Sequence, residues 1–378
     1  MFKEGELHMQ QYPVRTIDLE ALRENVRLLR STLPEKTKLM AVVKADAYGH
    51  GIAKVARAAL EAGASALAVA RTDEGAALRQ AGVTAPVLVL GASSDEEIAE
   101  GVHNELTLTV CTPEMVDTLE SCAKDSGLTG LMHLKIDTGM GRIGVRTEEE
   151  IRAILARLQV SPHVRLTGAF THFADADGSD MAYTRMQFER FQQLLTLLPD
   201  GIVRHCANSG AVLSWRDKGA ALDLVRPGLL TYGVYPDSER GGLSLTPVMA
   251  LKSRVSAITH HKKGDSISYG RTWTAECDCT LAVLPVGYAD GLQRCLSGKL
   301  EVLLRGKRVK QVGRICMDMC MLDVTDIPDA AVGDVVTVFG CGDDGAPTVA
   351  ELASLAGTIP YELLCGVSLR VPRIYTEN

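Results

Sequence analysis

Short apolar runs alternate with amphipathic segments over half of the chain, from Leu39 to about Pro227. The segments between the runs, such as YTRMQFERFQQLLTLL, have apolar residues at helical spacing. Eight β/α repeats over this length predict a (β/α)8 barrel of the TIM type, in the α/β class, rather than an open parallel sheet. The runs interpreted as barrel strands are LMAVVK, ALAVA, PVLVLG, LTLTV, LMHLKID, VRLTGAFTHF, IVRHCANS and LDLVRP.

The pattern changes after about Tyr235. Strand-like runs joined by glycine-rich turns follow, and one short helix, TVAELASLAG, interrupts them. This half predicts a compact, mostly antiparallel β domain. We therefore expect a barrel domain over residues 1–238, with a lead-in at about residues 1–12, and a C-terminal β domain over residues 239–378.

Charge and hydropathy exclude several classes of partner. The 378 residues include 40 basic and 47 acidic ones, giving a net charge of −7 without any basic block, which argues against nucleic acid. No apolar run approaches the roughly 20 residues that span a bilayer. The polar start, MFKEGELHMQQYP, shows no secretory signal. The sequence thus predicts a cytoplasmic protein that binds neither nucleic acid nor membranes.

The ten cysteines do not have the spacing of a metal or disulfide framework. One residue separates Cys277 from Cys279, three separate Cys316 from Cys320, and no pair of C-x-x-C motifs occurs. Alternate residues of a strand face opposite ways, so Cys277 and Cys279 would not converge. We expect most cysteines to be small core hydrophobes in a reducing compartment, and we expect no metal site.

Lys44 stands at the carboxyl end of the first predicted barrel strand, in AVVKADAYGHG. Active sites of (β/α)8 barrels form at this end of the strands. Partial desolvation lowers the pKa of a lysine and makes the amine a nucleophile for Schiff bases. Taken alone, a strand-end lysine more often extends its charge into solvent.

Polar groups also follow the later barrel strands in the sequence. The loops after strands seven and eight form the usual phosphate site of such barrels, so Ser209 and the amides near Gly228 suit a phosphorylated ligand. A lysine facing a phosphate site favours pyridoxal 5′-phosphate. Each group alone has a structural explanation, such as a helix cap or a surface ion pair, but all fall on one rim. The residues are Lys135, Asp137, Arg142, His172, Asn208, Ser209, Arg226 and Gly228.

Several motifs resemble those of the alanine racemases, in order from about Tyr12 to Tyr375. They are AVVKADAYGHG, KIDTGMGRIG, HFADAD, NSG, VRPGLLTYG, SYGRTW, VGYADG and GRICMDM. The resemblance implies a barrel that carries pyridoxal 5′-phosphate, followed by a β domain. It implies a homodimer whose two sites each borrow residues from the partner's β domain. It further implies interconversion of L- and D-alanine, which supplies D-alanine for peptidoglycan.

The resemblance also implies the acid/base groups. Lys44 would hold the cofactor and act on one face of the substrate's α-carbon, and Tyr269, from the other subunit, would act on the opposite face. Arg226 would lie opposite the pyridine nitrogen and leave it neutral, because a guanidinium has no proton to give at neutral pH. His172 would pack against the cofactor ring and bridge Arg226 to Tyr269.

The remaining assignments that the resemblance implies concern binding. Arg142, with the backbone amide of Met317, would bind the substrate carboxylate, and Lys135 would be carbamylated, which turns its charge negative. The cofactor phosphate would contact Tyr48, Ser209, Gly228 and Tyr361. Residues around the substrate corridor would be Asp177, Tyr288, Arg314 and Asp318.

The chain departs from the family pattern in two places, and other functions stay open. YPVRTIDLEAL lacks an aromatic-x-Glu pattern, and Pro360 precedes Tyr361 where asparagine is common. Related serine racemases tend to have asparagine in place of that tyrosine, so Tyr361 favours alanine over a serine or broad-specificity racemase. A basic amino-acid decarboxylase is opposed by Arg226 and the isolated NSG. A pyridoxal-phosphate carrier is opposed by the β domain containing Tyr269.

Overall fold

The computed structural model describes residues 12–215, 219–236, 242–342 and 344–377, which form two units. The barrel unit consists of the described residues of Leu22–Ala47 and Gly51–Leu245. The sheet unit consists of the described residues of Met1–Ala21, Tyr48–His50 and Thr246–Asn378. The predicted domain junction at residues 238/239, and the lead-in apart from Tyr12, lie outside the described residues.

Eight parallel strands form a closed barrel, which confirms the predicted fold class. They follow a first strand, β1 (Val14–Asp18), and a helix, α1 (Leu19–Ser31). In β2, four of the five residues are buried, as expected for a parallel strand covered on both faces. The barrel strands are β2 (Lys38–Val42), β3 (Ala66–Val69), β4 (Val87–Ala92), β5 (Thr107–Val110), β6 (Gly130–Lys135), β7 (Val164–Phe170), β8 (Val203–His205) and β9 (Leu224–Val225).

The helices of the barrel unit begin at sequence signals of the expected kind. Thr112 accepts a hydrogen bond from the Met115 N–H, and Pro113 stands at the first helical position. None of the helices in the described ranges has the length and apolarity needed to cross a membrane. After α1 they are α2 (Ile52–Glu61), α3 (Thr72–Gln80), α4 (Asp95–His103), α5 (Pro113–Ser126), α6 (Glu148–Leu158), α7 (Ala182–Leu195) and α8 (Ser209–Ser214).

The sheet unit contains a nine-stranded, mostly antiparallel sheet, as predicted for the C-terminal half. Its strand order is β11-β14-β17-β16-β15-β18-β10-β1-β19, and β12 pairs with β13. The new strands are β10 (Met249–Arg254), β11 (Ala257–His261), β12 (Ser266–Ile267), β13 (Trp273–Thr274), β14 (Cys279–Leu284), β15 (Glu301–Leu304), β16 (Lys307–Val312), β17 (Cys320–Asp323), β18 (Val335–Phe339) and β19 (Arg373–Thr376).

Strand β1 belongs to this sheet, although the sequence placed residues 13–21 with the barrel domain. It pairs antiparallel with β10 and parallel with β19, so that Arg15 lies opposite both Leu251 and Arg373. The Arg15 side chain is buried and donates to the Val367 carbonyl oxygen at 3.0 Å. Order along the chain cannot reveal such pairing, because the partners lie more than two hundred residues away.

The sheet unit has two α-helices within its described residues, where the sequence predicted one. The expected helix is α9 (Val349–Ala356), and the second is α10 (Pro360–Gly366). The single-helix expectation was wrong, because a second helix begins at Pro360. Proline is well tolerated at the first helical position, where its missing N–H has no partner to lose.

The expectation that most cysteines are core residues was also wrong. Of the ten cysteines, three are buried: Cys206, Cys279 and Cys320. Four are exposed, and the other three are partly buried. The residue type alone does not tell whether a cysteine side chain faces the core or the solvent. The burial of each cysteine therefore follows only from the structure.

Gly168 provides a test of packing inside the barrel. It pairs with His133 across β6 and β7, and an added Cβ would lie 2.6 Å from the His133 Nε2 atom and 2.7 Å from the Val203 carbonyl oxygen. We expect Gly168→Ala to lower the free energy of unfolding by about 1–3 kcal/mol through overpacking, measured by urea denaturation.

The matched control is Gly366→Ala, where an added Cβ meets no atom within 4 Å. Its unfolding free energy should stay within about 0.5 kcal/mol of the unsubstituted protein. Equal stabilities for the two variants would contradict the packing described around His133.

Candidate active site

Lys44 lies two residues after β2 and directly precedes a left-handed backbone turn. Non-glycine residues avoid this conformation because Cβ crowds the following carbonyl, at a cost of about 1–2 kcal/mol per residue. Four such residues in succession are therefore a strained segment that its surroundings must hold. They are Ala45, Asp46, Ala47 and Tyr48, with φ of 52°, 52°, 54° and 52°.

Hydrogen bonds on both sides fix this turn in the barrel unit. The Ala47 N–H donates to the Val43 carbonyl oxygen at 2.9 Å. The Asp46 side chain accepts from the Ile52 N–H at 2.8 Å and so caps the start of α2. Lys44 itself is partly buried. The end of β2 thus presents a lysine on a rigid, strained segment, an arrangement found at functional sites.

Four cationic side chains act on His172, which follows β7. Burial lowers the pKa of His172 well below 6.5, and the charges of Arg226, Arg142, Lys135 and Lys44 lower it further. The barrel therefore brings these predicted residues together at the carboxyl ends of its strands. A site with this excess of positive charge suits an anionic ligand.

Lys135 is almost fully buried at the end of β6. Its Nζ donates to the carbonyl oxygens of Ile136 at 3.0 Å and Ile143 at 3.2 Å. Burial lowers the pKa of Lys135 to about 8; nearby Asp137 opposes this effect, and Arg226 and Arg142 add to it. About a tenth of the amine is consequently neutral and nucleophilic at pH 7, far more than for an ordinary lysine.

Asp137 organises the loop that carries Arg142. Its carboxylate accepts from the Gly139 N–H at 3.1 Å and from the Gly141 N–H at 3.0 Å. Burial alone would raise the pKa of Asp137, but these N–H donors and Lys135 hold it below its usual value. The loop leaves the Arg142 side chain exposed.

Arg226 is buried at the end of β9, and burial lowers its pKa to about 10. One guanidinium nitrogen, Nη1, contacts the His205 Nδ1 atom at 2.6 Å. The other, Nη2, donates to the carbonyl oxygens of Thr171 at 2.8 Å and Cys206 at 3.2 Å. The guanidinium plane is therefore fixed by β8 and by the residue after β7.

Two buried histidines, His133 and His205, belong to this network and were missed in the sequence. The His205 Nε2 atom lies 2.9 Å from the His133 Nδ1 atom. Arginine only donates, so His205 must accept at Nδ1 and donate from Nε2 to His133. Both rings are then neutral, which agrees with pKa values lowered by burial and by Arg226, to about 3 for His133. The sequence feature that could have identified these two residues is a histidine within a run of strand residues that is otherwise mostly aliphatic.

Ser209 and Gly228 lie together, as the predicted phosphate site requires. The Gly228 N–H donates to the Ser209 Oγ atom at 2.8 Å. Ser209 is buried, and Asn208 caps α8 by accepting from the Ala211 N–H at 3.1 Å. Asp177, predicted near the substrate corridor, lies exposed in the loop after β7.

Tyr48 and Tyr361 contact each other in the sheet unit. Their ring centroids are 5.7 Å apart, with the planes tilted by 51°. Tyr361 stands in the first turn of α10, directly after Pro360. The two tyrosines predicted to contact one phosphate thus lie side by side, although they are more than three hundred residues apart in sequence.

Three of the other predicted residues of the sheet unit line a cavity of about 560 Å³. Tyr269, Met317 and Asp318 line this cavity, and Tyr269 and Met317 are 69% and 52% exposed. Ser268 and Arg271, on either side of Tyr269, have φ of 67° and 52°.

A hydrogen bond from the Ser268 hydroxyl to the Arg314 carbonyl oxygen, at 2.7 Å, holds the turn that carries Tyr269. Arg314 is one of the residues predicted near the substrate corridor. Tyr288, another of them, is 43% exposed, and the next residue, Ala289, donates its N–H to the Met317 carbonyl oxygen at 3.0 Å. Across the described ranges, no group of three or more histidine, cysteine or acidic side chains could hold a metal ion.

Known proteins resemble the chain over nearly its whole length. The family description "Alanine racemase, N-terminal domain" matches residues 17–236, and "Alanine racemase, C-terminal domain" matches residues 248–375. An alanine racemase of Desulforamulus reducens is 45% identical, over 95% of this chain and 97% of the relative. Alanine racemase 1 of Bacillus subtilis is 43% identical, over 96% and 92%.

Solved structures agree with these sequence matches. The crystal structure of alanine racemase from Bacillus anthracis with bound L-Ala-P has a TM-score of 0.90 and 39% identity, covering 97% of this chain and 95% of that one. The alanine racemase of Clostridium difficile 630 has a TM-score of 0.92 and 39% identity, covering 97% of both chains.

The neutral histidines predict an acid-sensitive fold. His133, His172 and His205 have pKa values below 6.5 when folded, so the unfolded chain binds more protons as the pH falls below that value. The free energy of unfolding should therefore decrease from pH 7 toward pH 5, by up to about 1.4 kcal/mol per pH unit for each histidine. Urea denaturation at several pH values measures the slope.

The His133→Gln variant should show a shallower dependence of the unfolding free energy on pH, because it lacks the contribution of one protonation, up to about 1.4 kcal/mol per pH unit. His260→Gln is the control, because His260 lies exposed on the sheet unit and its ring stays in water. Identical slopes for His133→Gln and the unsubstituted protein would contradict the neutral, buried state of His133.

Proposed function

The chain belongs to the alanine racemase family, and we propose that it interconverts L- and D-alanine with Lys44 and the partner subunit's Tyr269 as the two bases. The observation that carries this proposal is the set of four cations around His172, one of them a lysine on a strained turn. A racemase needs one acid/base group on each face of the α-carbon. The barrel rim supplies one of them, and an exposed phenol on the sheet unit is suited to be the other.

Pyridoxal 5′-phosphate is the cofactor of this family, and the residues present fit it. The cationic rim suits a phosphate, the buried Arg226 suits a pyridine nitrogen that stays neutral, and the amine of Lys44 is the group that forms a Schiff base with an aldehyde. When bound, the cofactor delocalises the electrons left on the α-carbon and so acidifies the α-proton. We propose that the residues holding it are Lys44, Tyr48, His172, Ser209, Arg226, Gly228 and Tyr361.

The chain's own residues then bind alanine and move its protons. Arg142, exposed beside Lys135, binds the substrate carboxylate, and the Met317 backbone amide assists. In one direction the Lys44 amine accepts the α-proton and the phenol of the partner subunit's Tyr269 donates a proton to the opposite face. In the other direction the two groups exchange roles. One proton leaves and one arrives, so the charge of the substrate is unchanged.

We propose that Lys135 is carbamylated. The neutral amine attacks carbon dioxide, forms an N–C bond and loses one proton, which gives a carbamate anion. A pKa of about 8 favours this reaction, because ordinary lysine at 10.5 is almost wholly protonated at neutral pH. The carbamate would replace repulsion between Lys135 and Arg142 with attraction and so orient Arg142.

A homodimer with shared sites explains the exposed cluster on the sheet unit. Tyr269 and Met317 are 69% and 52% exposed, and Met319, at the same cavity, is 46% exposed. Exposed apolar groups around a concavity are typical of an interaction surface, and a second copy would cover it on both subunits by two-fold symmetry. We also place the enzyme in the cytoplasm, where it would supply D-alanine for peptidoglycan.

Two further points belong to the proposal. We keep the domain junction at residues 238/239, which falls between the two matched family ranges.

Tyr361, packed against Tyr48, supports alanine over serine because the ring narrows the space near the phosphate. A serine or broad-specificity racemase is the alternative. Measuring the turnover of alanine and of serine by the same preparation distinguishes the two functions.

Mixed dimers test the shared site. Lys44→Ala and Tyr269→Phe homodimers should each be inactive. A mixed dimer contains one site with both native groups, Lys44 of one subunit and Tyr269 of the other. After random subunit exchange, about a quarter of the unsubstituted activity should return. Activity is measured as exchange of the α-proton of both alanine enantiomers with solvent deuterium, which neither a decarboxylase nor a carrier performs.

The control mixes Lys44→Ala with a Lys44→Ala/Tyr269→Phe double variant, which contains no complete site in any combination. If mixing the two single variants restores nothing while heterodimers are present, Lys44 and Tyr269 do not act across subunits. Full activity of the Tyr269→Phe homodimer in both directions would remove the two-base assignment altogether.

Carbon-13 NMR with labelled bicarbonate tests the carbamate. The folded protein should show one carbamate signal that is lost in Lys135→Gln, because the buried neutral amine is the reactive one. Lys262→Gln, at an exposed ion pair with Asp278, should retain the signal. A spectrum unchanged by Lys135→Gln would rule out carbamylation of this residue.

A further inference from the structure

We propose that Glu74 is a positioning residue for Lys44, and that its carboxylate acts by holding the left-handed backbone at Ala45. The proposal rests on the proposed function, because it takes Lys44 as the acid/base group. Glu74 lies in the first turn of α3, which follows β3, and β3 pairs with β2, the strand that precedes Lys44.

The two carboxylate oxygens of Glu74 accept from different parts of the barrel rim. Oε1 accepts from the Ala45 N–H at 2.6 Å. Oε2 accepts from the Ala70 N–H at 2.7 Å and from the Arg71 N–H at 3.3 Å. The carboxylate therefore ties the residue after Lys44 to the end of the neighbouring strand.

The hydrogen bond from the Ala45 N–H to Glu74 acts on a strained part of the backbone. Ala45 has φ 52° and ψ 51°, a conformation that an alanine adopts only when its surroundings impose it. A hydrogen bond from an N–H to a carboxylate is charge-assisted and about twice as strong as one between neutral groups. Glu74 thus supplies the strong local contact that keeps the turn from relaxing to an ordinary backbone.

The direction of Lys44 depends on this turn. The peptide between Lys44 and Ala45 carries the N–H that Glu74 holds, so rotating that peptide would move the Lys44 side chain. Proton transfer needs reacting atoms in line, and a shift of about 1 Å can lower the rate on the order of a hundredfold. Losing the Glu74 contact should therefore reduce turnover more than substrate binding.

Glu150 offers a matched comparison. It occupies the same position in α6, where its Oε2 atom accepts from the Arg146 N–H at 2.5 Å and the Thr147 N–H at 3.0 Å. Both donors belong to the start of its own helix. A glutamine can still serve them with its one oxygen. At position 74 the donors occupy both oxygens, so the amide group of a glutamine must face an N–H.

The experiment compares holoenzymes of the unsubstituted chain, Glu74→Gln and Glu150→Gln. In Glu74→Gln, we expect faster amide hydrogen exchange in the Lys44–Tyr48 segment and a shifted pH midpoint of the visible cofactor band. We also expect kcat for L-alanine to fall about tenfold to a hundredfold with KM within about threefold. Glu150→Gln should match the unsubstituted enzyme in all of these measurements.

A second substitution tests whether Glu74 acts through the backbone conformation of Ala45. Ala45→Gly in the Glu74→Gln background should recover part of kcat, because glycine adopts positive φ without the Cβ penalty. If Glu74→Gln fails to fold, Glu74→Asp replaces it. Aspartate keeps the charge but shortens the reach, and the same results are expected.

Three outcomes would overturn the proposal: segment exchange and kcat in Glu74→Gln equal to those of Glu150→Gln, no recovery with Ala45→Gly, or an unimpaired Glu74→Asp. Failure of the proposed function looks different. In that case the unsubstituted holoenzyme would not exchange the α-proton of alanine, whereas hydrogen exchange in the Lys44–Tyr48 segment would still decide whether Glu74 holds the turn.

Discussion

Crowding of positive charge at the carboxyl ends of the barrel strands is the constraint on which the rest of the site depends. The charges of Arg226, Arg142, Lys135 and Lys44, which lower the pKa of His172, are all positive, and Arg226 is almost wholly buried. The fold tolerates this crowding by keeping its histidines neutral and by lowering the pKa of Lys135 to about 8. Anions that bind there relieve the repulsion and stabilise the folded state. A phosphate and a substrate carboxylate are anions of this kind.

Backbone strain is concentrated at the two residues proposed as acid/base groups. Nine non-glycine residues in the described ranges have positive φ, and six of them lie within four residues of Lys44 or Tyr269. Strain of this kind persists only where surrounding contacts over-determine the backbone. The Asp46 cap at the first turn and the Ser268 hydroxyl at the second are such contacts. The structure therefore holds both groups rigidly before any substrate arrives.

The sequence correctly predicted the features of the fold that depend on local periodicity and on the positions of strand ends. Each of the eight barrel strands overlaps a predicted run and extends at most one residue beyond it, because a buried parallel strand is a short aliphatic segment. Lys44 ends the first of these runs. The sequence did not predict the features that depend on pairing between strands far apart in the chain. Strand β1 joins the C-terminal sheet through partners far along the chain. His133 and His205 gain their role only because β6 and β8 lie on either side of β7.

The division of the predicted residues between the two units gives the physical reason for the two-subunit site that we propose. A barrel rim gathers groups from many strands, but it approaches a bound ligand from the strand ends only. Racemisation requires a proton to be delivered to the face opposite the lysine. The phenol suited to that task belongs to the sheet unit, on a strained turn where it is 69% exposed. Exposure of a large aromatic on such a turn is unfavourable for an isolated chain, and a second copy that covers the surface removes that disadvantage. Assembly and catalysis would then depend on the same contact, which would keep both acid/base groups of a single chain from acting without a partner.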